Sequence, residues 1–216
     1  MTKDLKKRII TSFILLLFLL FAYINNFILG YILIVVSIFS ILEFIAMSKI
    51  FLKKNKILQL ISNLIFLLYL FYFCTLLLTF SFSLSLKVLI FIILLTCIAS
   101  DIGGFIFGKI LRGPKLTKIS PNKTIAGAIG SLILSSGIVF FLIYFLTNNY
   151  ELKIIIVGLT TSLGCQFGDL FFSFLKRKSS LKDTGNFLPG HGGILDRIDG
   201  MLIGIPIGFL GLLIIY

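Results

Sequence analysis

The sequence predicts an all-α fold: a polytopic integral membrane bundle of about seven transmembrane helices, with the N-terminus inside and the C-terminus outside. Three observations predict it. Hydrophobic residues fill 58% of the 216 positions and charged residues only 13%, giving a mean hydropathy of +1.14 that no soluble core requires. Apolar runs near the roughly 20 residues needed to cross the hydrocarbon recur from end to end. Lysine and arginine collect in every second segment between those runs. Because the runs are continuously apolar instead of alternating, each can satisfy its own backbone as a helix, and a barrel is excluded.

The first run, Ile9 to Ile24, follows Lys3, Lys6, Lys7 and Arg8 and has the look of a secretory signal. Asn25-Asn26-Phe27 offers no small-residue cleavage site and another run follows at once, so we expect the segment to be retained. Phe27 to Met47 carries Glu43 in apolar surroundings. Ile57 to Phe80 is introduced by Lys49, Lys53, Lys54 and Lys56. Leu86 to Gly108 contains Asp101 and three glycines near its end. Thr124 to Leu146 bears no charge, and Leu152 to Leu175 carries Asp169 among apolar residues. Ile194 to Ile215 opens on Asp196 and Asp199, and its Gly200, Gly204 and Gly208, spaced by four, form a smooth strip for close helix packing, with Pro206 as a bending point. Packing within the protomer is the simpler reading of that strip. No linker is visible, so residues 1–216 read as a single membrane domain, with N-terminal helices over 1–100 and a catalytic region over 101–216.

Charge orients the bundle. With the N-terminus in the cytoplasm, eighteen of the twenty lysines and arginines fall inside, and only Lys87 and Lys153 lie near the opposite face. The net charge of +12 is thereby mostly topological. Nucleic acid is not expected as a partner, because the cations are dispersed among short loops and form no stripe with interleaved aromatics. Cys74, Cys97 and Cys165 lie in apolar segments without metal-ligand spacing and read as small packing residues.

Only eight carboxylates are present, and Glu43, Asp101, Asp169, Asp196 and Asp199 lie within or at the edges of the runs. Charges there face a bundle interior and serve ions or substrates, or else form an internal ion pair. Asp196 and Asp199 are three apart at a helix start, hence on one face. Two like charges that close call for a cation between them. Oxygen-only ligands favour Mg²⁺, Mn²⁺ or Ca²⁺, and Mg²⁺ commonly takes one or two carboxylates plus substrate phosphates. Asp169 is placed to complete such a site.

The loop before that helix supplies donors: Lys176, Arg177, Lys182 and His191, with Gly190, Gly192 and Gly193 letting backbone N–H groups approach an anion. A second polar segment, Asp101 to Gly127, repeats these ingredients on the same side of the membrane. Two phosphate-friendly loops on one face point to a substrate with several phosphates.

Residues Ser173 to Asp199 read S-x-x-K-R, four residues, K-D-x-G, then L-P-x-H-G-G-x-x-D-R-x-D. This resembles in full the signature of the phosphatidate cytidylyltransferases, or CDP-diacylglycerol synthases. Gly168-Asp169-Leu170, Ser120-Pro121-x-Lys123-Thr124 and Asp101 extend the resemblance, and Glu43 and Arg8 add to it faintly. It implies an integral membrane enzyme, in the bacterial inner membrane with its site facing the cytoplasm. That enzyme joins CTP to phosphatidate with Mg²⁺, releasing pyrophosphate, with membrane lipids around it and a homodimer as its assembly. On that resemblance Asp169, Asp196 and Asp199 hold one or two metal ions, and Lys176, Arg177, Lys182, His191 and Arg197 bind phosphates. Lys115, Ser120 and Lys123 meet the nucleotide or lipid headgroup, and Asp101 orients. Some positions depart from the pattern: Ala126 and Phe172 stand where glutamates are usual, and Arg112-Gly113 replaces a Gly-Lys pair. Two other classes share these ingredients: a CTP-dependent polyprenol or dolichol kinase, which attacks the γ-phosphate, and an ion-coupled transporter, whose carboxylates would lie at the midplane.

Overall fold

A computed structural model of the chain describes residues 3–117, 119–185, 187 and 192–215, and every regular element among them is helical. The order is α1 (Lys3–Ile24), α2 (Asn26–Phe51), α3 (Lys56–Ser81), α4 (Leu84–Leu111), α5 (Ile125–Thr147), a 3-10 turn (Leu152–Ile154), α6 (Ile155–Lys178) and α7 (Leu195–Ile215). Six of these, α2 to α7, are long and apolar enough to cross a membrane, and Phe13–Ile24 is a shorter apolar helix within α1. The chain is thus an all-helical polytopic membrane protein, as expected.

The helices overrun the apolar runs that announce them. Helix α2 continues through Lys49 to Phe51, and α6 through Lys176, Arg177 and Lys178. Hydropathy marks only the stretch inside the hydrocarbon, whereas backbone hydrogen bonding carries the helix into the interface, where long cations reach water. Side chains set the starts. Asn25, Asn55 and Thr124 each accept from an amide in the first turn of α2, α3 and α5, and left-handed Asn148 ends α5.

Two compact units divide the chain: Met1–Lys87 with Leu175–Ile198, and Val88–Phe174 with Asp199–Tyr216. In the first, Phe44 stacks on Phe66 at 4.1 Å between α2 and α3. Lys87, one of the two cations left on the opposite face by the charge count, is buried there. Its ammonium donates to Asn26 Oδ1 at 2.7 Å and lies 5.7 Å from the Tyr23 ring.

Small residues build the second unit. A Cβ on Gly103 would stand 2.6 Å from the Gly130 carbonyl oxygen, and one on Gly127 would stand 2.7 Å from that of Gly104, so α4 and α5 touch backbone to backbone. The α7 strip is used within the chain: Gly204 faces the thiol of Cys165 on α6 and, at 3.2 Å, that of Cys97 on α4, while Gly200 faces Asp169. Buried Cys97 and Cys165 act as small packing groups at this crossing. Gly103→Ala is expected to destabilise the protein by about 1–3 kcal/mol through forced separation of α4 from α5. Thermal unfolding in detergent checks this, and an unchanged midpoint would contradict it.

Candidate active site

In the first unit the segment after α6 is folded around two carboxylates. Lys176 Nζ pairs with Asp196 Oδ1 at 2.8 Å, with side chains only 12% and 6% exposed. The other oxygen of Asp196 accepts from the N–H groups of Thr184 at 2.8 Å and Gly193 at 3.0 Å. Gly192 has φ +83, a left-handed conformation that suits glycine, and a side chain there would press on Asp196 Oδ2 at 3.0 Å. Glu43, reaching from α2 and buried, accepts from the Thr184 hydroxyl at 2.7 Å and from the N–H groups of Ile194 at 3.0 Å and Leu195 at 2.9 Å. The start of α7 is therefore capped by a carboxylate from a distant helix.

This arrangement changes the reading of the glycines. The amides of Gly193, Ile194 and Leu195 donate to protein carboxylates, so of the glycines expected to face an anion, Gly193 is engaged by Asp196. Arg177, Lys182 and Arg197 are all exposed. Arg177 also donates to the Leu181 carbonyl at 3.4 Å. His191, like Gly190 and Lys118, lies outside the described residues.

The second unit contains a cavity of about 280 Å³. Its wall includes Asp101, Ser120, Asn122, Lys123, Gln166 and Asp169. The segment between α4 and α5 folds back to form one side. Arg112 and Gly113 turn it with positive φ, Leu116 N–H donates to the Lys123 carbonyl at 2.8 Å, and Lys123 N–H to that of Ser120 at 3.0 Å. The pairing of Lys115 with Thr124 closes the fold. Lys123 is thus carried to Asp169, its Nζ 2.7 Å from Oδ2, with side chains 30% and 24% exposed. Lys115 is exposed and does not line the cavity.

Where α6 crosses α7, the Asp169 carboxylate faces Gly200 and the Asp199 backbone faces Gly168. A Cβ on Gly168 would strike the Asp199 carbonyl oxygen, and one on Gly200 would lie 2.8 Å from Asp169 Oδ1, so glycine at both positions lets the carboxylate sit against the bare backbone. Gly200 N–H donates to Asp199 Oδ1 at 2.9 Å. Among the described residues no three of His, Cys, Asp and Glu converge as metal ligands.

Three residues of this architecture were not singled out from the sequence as site residues: Glu43 as the cap of α7, and Asn122 and Gln166 in the cavity wall. Gln166 had a signal, since it is polar in an apolar run and three residues before Asp169. Its amide donates to the Ala128 carbonyl at 3.2 Å and to Ser162 Oγ at 3.3 Å. Phe172, one of the departures from the expected pattern, is 3% exposed and meets Phe171 edge-on at 5.3 Å, so this position serves packing here.

Comparison with known proteins adds a family and relatives. The model of the Cytidylyltransferase family matches residues 50–215. A phosphatidate cytidylyltransferase of Rickettsia bellii is 44% identical over 129 residues, covering 55% of this chain and 55% of that protein. One from Helicobacter pylori is 42% identical over 112 residues, covering 52% of this chain and 42% of its own length. One from Staphylococcus aureus is 44% identical over 110 residues, covering 50% and 42%. The chain spans about half the length of the curated relatives it matches.

Proposed function

Because the chain belongs to the cytidylyltransferase family, we propose that it transfers the cytidylyl group of CTP to phosphatidate, giving CDP-diacylglycerol and pyrophosphate. The observation that carries this reading is the polar cavity of the second unit, where Lys123 and Asp169 pair at 2.7 Å within a protein of apolar helices. The relatives, phosphatidate cytidylyltransferases, supply the substrates of this reading.

The chemistry asks little of a general base. A phosphomonoester oxygen of phosphatidate attacks the α-phosphorus of CTP, the bond from that phosphorus to the β-phosphate bridge breaks, and pyrophosphate leaves with the electron pair. Catalysis reduces to holding two anions in line and neutralising the leaving group. On this reading Lys123 and Ser120 hold substrate phosphate at the cavity, and Asp101 orients polar groups of the substrate. Lys176, Arg177, Lys182, His191 and Arg197 supply further positive charge, and Lys115 steers anions from outside the cavity.

Mg²⁺ fits the donors of the second unit. The Asp169 carboxylate lies against the bare backbone of Gly200, next in sequence to Asp199, which suits an ion that commonly takes one or two carboxylates and keeps its remaining places for water and phosphate. A bound Mg²⁺ would supply Lewis-acid neutralisation of the phosphoryl oxygens. Asp169 and Asp199 would hold it, with Asp169 also fixed by Lys123. Asp196, the third expected ligand, is engaged by Lys176 and two amides, and contributes on this reading by shaping the loop.

On this reading the basic loops face the cytoplasm from a bacterial inner membrane, and the acyl chains stay in the bilayer. A homodimer would use a surface other than the α7 glycine strip. Purified protein should release pyrophosphate from CTP only when phosphatidate and Mg²⁺ are both present. Accumulation of CDP without pyrophosphate would instead favour lipid phosphorylation.

A further inference from the structure

We infer that Glu43 is a positioning residue that ties Thr184 to the start of α7 at Ile194 and Leu195, although it lies outside the residues that the family model matches, 50–215. Both oxygens of this buried carboxylate are used: Oε1 accepts from Ile194 N–H, and Oε2 from Leu195 N–H and the Thr184 hydroxyl. The two amides are orphan donors at the start of α7, where no preceding helical carbonyl can take them. A negative charge is favoured at this helix end.

The glycines around it follow from the same geometry. A Cβ on Gly185 would lie 2.6 Å from Glu43 Oε1, and one on Gly193 would strike Glu43 Oε2 and Thr184 Oγ1. Two glycines of the 173–199 segment thus make the room that a residue of α2 occupies. Glutamine cannot replace it, because its NH₂ group would face a donor. Through Thr184, whose N–H binds Asp196, the Glu43 carboxylate is tied to the Lys176–Asp196 pair. It acts on the phosphate-binding side chains through that pair.

The activity arm of the test rests on the proposed cytidylyl transfer; the exchange arm does not. Full-length protein in detergent micelles is compared as wild type, Glu43→Gln, Thr184→Val and Thr184→Ser. Hydrogen exchange at Ile194 and Leu195 should rise about tenfold or more in Glu43→Gln, and less in Thr184→Val, as a local opening of those amides. The KM for CTP or for phosphatidate should rise about fivefold in Glu43→Gln, whereas a substitution that only lowers the amount of folded enzyme reduces kcat and leaves both KM values alone. Thr184→Ser keeps the hydroxyl donor and should restore the wild-type exchange and KM that Thr184→Val loses. Wild-type exchange at both amides in Glu43→Gln, or a fall in kcat with both KM values unchanged, would overturn the inference. If the wild type transfers nothing to phosphatidate, the reaction assignment fails and exchange alone decides the role of Glu43. If Glu43→Gln does not fold, Thr184→Val against Thr184→Ser carries both arms.

Discussion

Asp169→Asn is expected to lower phosphatidate-dependent turnover about a thousandfold, equivalent to roughly 4 kcal/mol of transition-state stabilisation. The substitution is nearly isosteric, so packing against Gly200 survives. What it removes is the charge: Lys123 loses the carboxylate that lies 2.7 Å from its ammonium, and the carboxylate assigned to Mg²⁺ becomes a neutral amide. A Mg²⁺ titration separates these effects. If Asp169 holds the ion, activity in the variant should need far more Mg²⁺ than in the wild type. Wild-type turnover and an unshifted Mg²⁺ dependence would remove Asp169 from the site.

The second large effect is expected at Lys176. Lys176→Met keeps much of the side-chain volume but leaves Asp196 enclosed without its ammonium. Breaking a buried pair commonly costs about 3–5 kcal/mol, and the lower end applies here because two backbone N–H groups remain on Asp196. Turnover should fall with stability. In Lys176→Met/Asp196→Asn the amide oxygen can still accept from Thr184 and Gly193 while the uncompensated charge is gone, so stability should recover by at least half and activity should not. Additive losses in the double variant would show that the pair is not coupled. Chemical unfolding in detergent alongside turnover makes the comparison.

The parts of the molecule that were legible in the sequence are those governed by a local quantity. The length of an apolar run fixes the helix that spans it, which is why α2 to α7 fall within a few residues of their expected bounds. Scarce charge in apolar surroundings likewise pointed to Asp101 and Asp169, and the Ser120-Pro121-x-Lys123-Thr124 run to Lys123; all three line the cavity. Partnership was not legible. Lys123 and Asp169 are separated by 46 positions, and Glu43 reaches Leu195 across 152. No periodicity specifies such pairs, because they depend on how closely helices approach, and that is set by glycines such as Gly103, Gly168 and Gly200.

Glycine was also ambiguous in chemistry. Beside a helix start it signals a backbone that something approaches closely, and a phosphate was the natural choice for Gly192 and Gly193. The folded loop has Asp196 and Glu43 in that place. A carboxylate and a phosphate make the same demand on an amide, so the local sequence could not distinguish them. Only the placement of α2 decides it.

The central claim is best tested with CTP carrying one label in the cytosine ring and a different one at the γ-phosphate, incubated with purified protein, Mg²⁺ and phosphatidate in mixed micelles. Cytidylyl transfer predicts the ring label in the lipid fraction and the γ label in water-soluble pyrophosphate. Lipid carrying the γ label without the ring label, or lipid carrying neither, would contradict it.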